Sequence, residues 1–110
     1  MATMATALEP LDDPHRYELT ATSSDTDDKA WVAVVTGTHP EYGYDRDFVA
    51  YQDADDDRPA EGSREVRNGE ILEVVREPTG GQRETQWYHV DGGELVELRE
   101  EEADVMLKNR

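Results

Sequence analysis

The stretch Ser63–Glu77, SREVRNGEILEVVRE, places mixed charged and apolar runs on either side of Asn68-Gly69. A two-residue type I′ turn needs positive φ at both central positions, and Asn-Gly meets that need at the lowest steric cost. The pattern therefore predicts a β-hairpin. Its register follows by counting outward from the turn: Arg67 faces Glu70, Val66 faces Ile71 and Arg64 faces Glu73. Two opposite-charge pairs then flank one apolar pair, each worth about 0.2–1 kcal/mol in dilute buffer. A slip of one residue would break all three pairs and turn the valines to the other face.

Downstream, Gln86–Val90 (QWYHV) meets Glu94–Leu98 (ELVEL) through Asp91-Gly92-Gly93. A second hairpin is predicted there, with Val90 opposite Leu95 and Trp87 opposite Leu98. Pro78–Thr85 (PTGGQRET) reads as a flexible connection between the two hairpins. The chain closes with Glu100–Lys108, three acids in the first turn and a lysine at the end, the order that a helix dipole favours. Ala103, Met106 and Leu107 stand at helical spacing and lay this short helix on the sheet.

Upstream, Asp47–Gln52 (DFVAYQ) is a short strand, and Ala30–Gly37 (AWVAVVTG) is apolar at both pleat phases. Trp31–Val35 is thus expected as a central strand covered on both faces. Tyr17–Thr22 (YELTAT) alternates and is rich in strand formers, while Ser23–Lys29 is polar turn chemistry. Asp53–Gly62 (DADDDRPAEG) reads as a solvated acidic loop. Met1–Pro14 holds two prolines and Asp12-Asp13 with no period, which predicts a mobile N-terminal arm over 1–14 before a single small β-rich domain over 15–110.

About six short strands without strand–helix alternation argue for an all-β, mainly antiparallel unit with a short C-terminal helix. At this length a small curved sheet or barrel of SH3-like or OB-like type is the natural way to hide strand edges. Asn68–Val75 followed by Trp87-Tyr88 resembles the middle strands and aromatic pair of SH3-like domains. That resemblance spans about 20 residues and implies shape alone.

The chain carries 27 acidic residues against 11 basic ones, a formal charge of −16. Of the basic residues only Lys29 and Lys108 are lysine; there is one phenylalanine, Phe48, and one isoleucine, Ile71. Such a surface repels itself in dilute buffer. Coulomb terms fade within about 3 Å at 1 M salt, against about 10 Å at 0.1 M. The composition resembles that of proteins from salt-accumulating archaea and implies halophilic adaptation. Folding followed by circular dichroism is accordingly expected to strengthen steeply with KCl up to molar concentrations; a chain fully folded in dilute buffer and indifferent to salt contradicts this.

Absence of cysteine removes disulfides, thiolate zinc sites and a Cys nucleophile. No apolar run approaches the roughly 20 residues of a membrane-spanning helix, and the first residues have neither a basic nor an apolar leader region. A soluble, cytoplasmic protein is expected.

Reactive side-chain types are densest in His39–Asp47 (HPEYGYDRD). Tyr42, Tyr44 and Arg46 there form a candidate contact surface for a protein partner, joined by Trp87 and Tyr88, because tyrosine buries large area at low entropy cost and arginine stacks on it. The alternative is that the tyrosines pack down as the lid of a small core. Asp53, Asp55 and Asp57 copy the opening of a calcium loop, yet Arg58 stands where its glycine belongs and Arg64 where its bidentate glutamate belongs. No metal or cofactor is expected.

Nucleic-acid binding would rest on Arg58, Arg64, Arg67, Arg76, Arg83 and Arg99 with Trp87 and Tyr88 as stacking platforms. Four of these arginines adjoin a glutamate in sequence, the pattern of a mixed-charge surface. An enzyme would rest on His39 and His89, oriented by Glu41, Asp45 or Asp91, but no HExxH, GxSxG or glycine-rich phosphate loop fixes their spacing. The sequence therefore points to a small non-enzymatic protein-binding or adaptor domain adapted to high salt. An RNA- or ribosome-associated protein using an arginine-rich face is the alternative, and a small enzyme using His39 and His89 the second.

Overall fold

A computed structural model describes residues 4–23, 29–53, 60–78 and 80–109. In chain order its strands are β1 (Met4–Pro10), β2 (Arg16–Ser23), β3 (Lys29–His39), β4 (Gly43–Gln52), β5 (Glu61–Arg67), β6 (Ile71–Glu77), β7 (Glu84–Asp91) and β8 (Glu94–Leu98), followed by helix α1 (Glu100–Lys108). They form two antiparallel sheets, one ordered β1-β2-β5 and the other β4-β3-β6-β7-β8. Asp55, Asp57 and Arg58 of the acidic loop, and the middle of the Ser23–Lys29 turn, lie outside the described residues. No described helix is long and apolar enough to cross a membrane.

Strict alternation in β2 sends Tyr17, Leu19 and Ala21 inward. There they meet Val66 of β5 and, from the other sheet, Val32, Val34, Leu72 and Val90. This layer between the sheets is the main core, and each fully buried leucine or valine contributes about 1.5–3 kcal/mol. Trp31, Ala33 and Val35 point the opposite way. Every residue from Ala30 to Val35 is buried, so β3 is central and covered on both faces, as its composition required.

On the outer side of the five-stranded sheet, α1 covers one half: Ala103 and Leu107 pack on Val35, Ile71 and Trp87, with Met106 partly buried beside them. The helix spans the residues that charge and spacing indicated. At its start the Glu102 carboxylate accepts hydrogen bonds from the Arg99 side chain (3.2 Å) and backbone N–H (3.3 Å), which hold its pKa below the ordinary range.

The hairpin β7–β8 has the expected register, Val90 opposite Leu95 and Trp87 opposite Leu98. Gly92 (φ +59°) and Gly93 (φ +89°) supply the two positive φ angles of a type I′ turn. Asn68-Gly69 behaves otherwise. Gly69 has φ +89° but no described non-glycine residue has positive φ, and Glu70 N–H donates to Arg67 O at 3.2 Å, the signature of a type II turn. Type II turns splay the flanking strands. The predicted hairpin is thus a corner: β5 leaves to pair with β2, Val66 opposite Tyr17, while β6 joins β3 and β7. Of the expected pairs, Arg67 and Glu70 meet locally, the Arg67 N–H donating to Glu70 Oε2 at 2.7 Å. Arg64 instead reaches Asp47 (2.6 Å) and Glu70 (3.7 Å).

Two further corrections follow from tertiary pairing. Met4–Pro10, expected as part of a mobile arm, is a strand paired along β2 with Leu8 opposite Leu19, and Leu8 packs against the main core. Its run of small residues has little pattern of its own and takes its form from β2. The segment between the strands expected at Ala30–Gly37 and Asp47–Gln52 is mostly ladder: β3 runs on to His39 and β4 begins at Gly43.

Among the described residues the sheets share no backbone ladder and do not close into a barrel. They are stitched on one side. β4 carries an extra residue at Val49, since Val32 pairs with Ala50 and Ala33 with Phe48. The Val49 carbonyl is driven against Gly62 of β5, where a Cβ would lie 1.9 Å from its oxygen. The Arg64–Asp47 ion pair spans the same gap.

Candidate binding face

The half of the outer sheet face that α1 leaves uncovered centres on Trp31, Ala33 and Val75. Ordinary alternation would send Phe48 and Tyr51, three residues apart, to opposite faces. The bulge at Val49 shifts the phase by one, so both rings lie over Trp31 while Val49 and Ala50 both turn into the main core. Tyr51 stacks on Trp31 (centroids 5.9 Å, planes 14° apart). Phe48 stands edge-on to both rings, at 6.0 Å from Trp31 and 5.4 Å from Tyr51. Trp31 is only 6% exposed, whereas Phe48 and Tyr51 are 48% and 41% exposed.

Beneath the rings sits Glu73, 1% exposed. Its carboxylate accepts from Trp31 Nε1 (2.9 Å) and from Arg46 Nε and Nη2 (2.6 and 3.0 Å), and Arg83 stands 4.0 Å away. A bidentate guanidinium–carboxylate pair is strong and directionally fixed. Its hydrogen bonding to Glu73 raises the Arg46 pKa further. Arg46 also lies over the Trp31 and Tyr44 rings and donates from Nη1 to the Tyr42 carbonyl at 3.2 Å.

Arg83 caps Trp31 at 4.8 Å from its ring centroid. Lys29 approaches Trp31 and Tyr51 at 5.7 and 5.8 Å, and its pKa is raised chiefly by Tyr51, with Glu77 and Asp53 adding to the effect. Three cations therefore converge on one aromatic cluster of a strongly acidic protein. Arg46 pairs with Glu73 and Arg83 with Glu77, so with Lys29 the cluster carries little net charge against a chain of −16.

The residues singled out from sequence fall in three places. Tyr42, 72% exposed, tops the β3–β4 turn with its ring 4.8 Å from that of His39. Together with Tyr44, Arg46 and Phe48 it lines an open depression of about 420 Å³ that shares Phe48 with the aromatic cluster. Tyr44 is half-buried: it meets Trp87 edge-on at 5.1 Å and donates its hydroxyl to Asp104 of α1 at 3.2 Å, and burial pushes its phenol pKa up. Trp87, 3% exposed under the helix, is core. Tyr88 faces the other side of the sheet, packs against the main core and donates to Gln86 Oε1 at 2.7 Å; burial raises its pKa.

The two histidines of the enzyme reading lie on different strands separated by β6. His39 Nδ1 accepts the N–H groups of Glu41 and Tyr42, and His89 stands opposite Ile71 and Val96. Among the described residues no group of three His, Asp or Glu side chains could hold a metal ion. Arginines elsewhere are dispersed into carboxylate pairs, Arg16 with Glu65, Arg76 with Glu84 and Arg99 with Glu102. No family model, curated protein or solved structure matches the chain.

Proposed function

We propose that this chain is a small, non-enzymatic, cytoplasmic protein-binding domain adapted to high salt, which contacts its partner through the outer face of β3 and β4, from Tyr42 past Phe48 to Tyr51. The observation that carries the reading is the exposure of Phe48 and Tyr51 above a fully organised support of Trp31, Glu73 and Arg46. Contiguous exposed aromatics on a rigid base are the usual anchors of an interface, and their fixed rotamers lower the entropy lost on binding. In shape we read the unit with small curved β domains of SH3-like or OB-like type, on the strength of the β4–β5 stitch that nearly joins the sheets.

A second reading, an RNA- or ribosome-associated protein, draws on the same face through Lys29, Arg46 and Arg83 over the rings. One experiment separates the two. The tagged chain and a Phe48→Ala/Tyr51→Ala variant are used to capture partners from the protein's own cells in molar KCl, with and without ribonuclease. The protein-binding reading expects a partner that survives ribonuclease and binds the variant about 10- to 100-fold more weakly, with the melting temperature lowered by no more than about 4–8 °C. Release by ribonuclease favours the RNA reading. Undiminished capture by the variant removes this face from either.

A further inference from the structure

Asn68-Gly69 is the chain's only Asn-Gly pair, and Asn68 is one of two asparagines. Glycine leaves the following backbone nitrogen unhindered, so it can attack the asparagine side chain. A bond forms from Gly69 N to Asn68 Cγ and the bond from Cγ to Nδ2 breaks, releasing ammonia and leaving a five-membered succinimide. Water then opens the ring at one of its two carbonyls, giving aspartate or isoaspartate. The balance is one water consumed for one ammonia lost, with no redox step.

Both reacting groups are engaged elsewhere in the fold. Gly69 N–H donates to Val90 O at 2.8 Å, and Asn68 Oδ1 accepts the Gly92 N–H at 3.1 Å. Val90 N–H donates in turn to Glu70 O at 3.0 Å, so the corner is fastened to the end of the β7–β8 hairpin from both sides. Attack requires Gly69 N to leave Val90 and the Asn68 amide to leave Gly92 together.

We propose that Asn68 is a modification site gated by this corner: the native contacts keep it intact, and every opening that detaches the β7–β8 hairpin exposes it to irreversible deamidation. The isoaspartyl product adds a methylene to the main chain between β5 and β6 and a negative charge beside Glu70. With that extra atom the corner cannot satisfy the Arg67–Glu70 turn and the Gly69–Val90 contact at once. Molecules that open at low ionic strength, where a charge of −16 repels itself most, are thereby marked and withdrawn from the folded pool.

The test incubates the full chain at one pH and temperature, folded in molar KCl and unfolded in urea at the same KCl. Deamidation at Asn68 is followed by peptide mass spectrometry, with hydrogen exchange at the Gly69 amide alongside and Asn68→Gln as the chemical blank. The expected result is deamidation slower in the folded chain by about tenfold or more, in step with exchange at Gly69 across intermediate urea concentrations. Equal rates in folded and unfolded chains overturn the gate. The isoaspartyl fraction, isolated and returned to molar KCl, is expected not to regain the native circular dichroism; full recovery overturns the withdrawal.

Discussion

Gly62→Ala should lower the unfolding free energy by about 1–3 kcal/mol, and Gly62→Val by more. The added Cβ would fall 1.9 Å from Val49 O and 3.0 Å from its carbonyl carbon, both backbone atoms that cannot rotate aside. β4 and β5 must part to admit it. Glycine to alanine inside a strand at ordinary φ stabilises by reducing the freedom of the unfolded chain, so the sign of the change is diagnostic. Urea denaturation in molar KCl reads it. A lowered midpoint is expected for Gly62→Ala and an unchanged or slightly raised one for Gly37→Ala, where the new Cβ would meet only Asp45 Oδ2 at an ordinary 3.6 Å. A midpoint for Gly62→Ala that is unchanged or raised would mean that the sheets do not touch there.

Glu73→Ala is expected to cost about 3–5 kcal/mol, the range for stripping one partner from a buried ion pair. It leaves Arg46, with a side chain 17% exposed, and Trp31 Nε1 without the carboxylate to which both donate. Glu73→Gln keeps an acceptor for Trp31 and loses the charge, so a smaller loss follows. The double variant Glu73→Leu/Arg46→Met should recover much of the stability of Glu73→Ala, because no uncompensated charge stays buried. A thermodynamic cycle over these variants measures the coupling; strictly additive effects would contradict a shared pair.

The parts of the fold that were legible in sequence are those that local chemistry decides. The Gly92-Gly93 doublet can adopt two positive φ angles unaided, and from it the β7–β8 register follows by counting. Charge order and apolar spacing likewise located α1. Asn68-Gly69 carries no such certainty, because Asn-Gly suits a type II corner as well as a type I′ hairpin. The choice fell to β2, which gives Val66 a place opposite Tyr17 in the main core.

The candidate face was legible only in part. Tyr42, Tyr44 and Arg46 do share one depression, but Trp87 and Tyr88 are adjacent in a strand, and the two-residue period alone separates them onto opposite faces. Phe48 and Tyr51 were hidden for the converse reason. Their spacing of three assigns them to different faces until a bulge is inserted, and nothing in DFVAYQ announces Val49 as the extra residue. Glu73, within the apolar run EILEVVRE, reads as a solvent-facing residue until Arg46 arrives from β4.

The β4–β5 stitch has one more consequence, for how copies of this chain are kept apart. Open strand edges are templates for pairing with a neighbour, and many proteins guard them with charge. At molar salt, repulsion between exposed charges reaches only about 3 Å, so a surface of −16 gives little warning at a distance. Guarding must then be done by shape. The long edge of β4 and the edge of β5 shelter each other across Gly62, β8 is five residues long, and β1 ends at Pro10, which has no N–H to offer. Where electrostatics are screened, the packing of one glycine against one carbonyl becomes a solubility device.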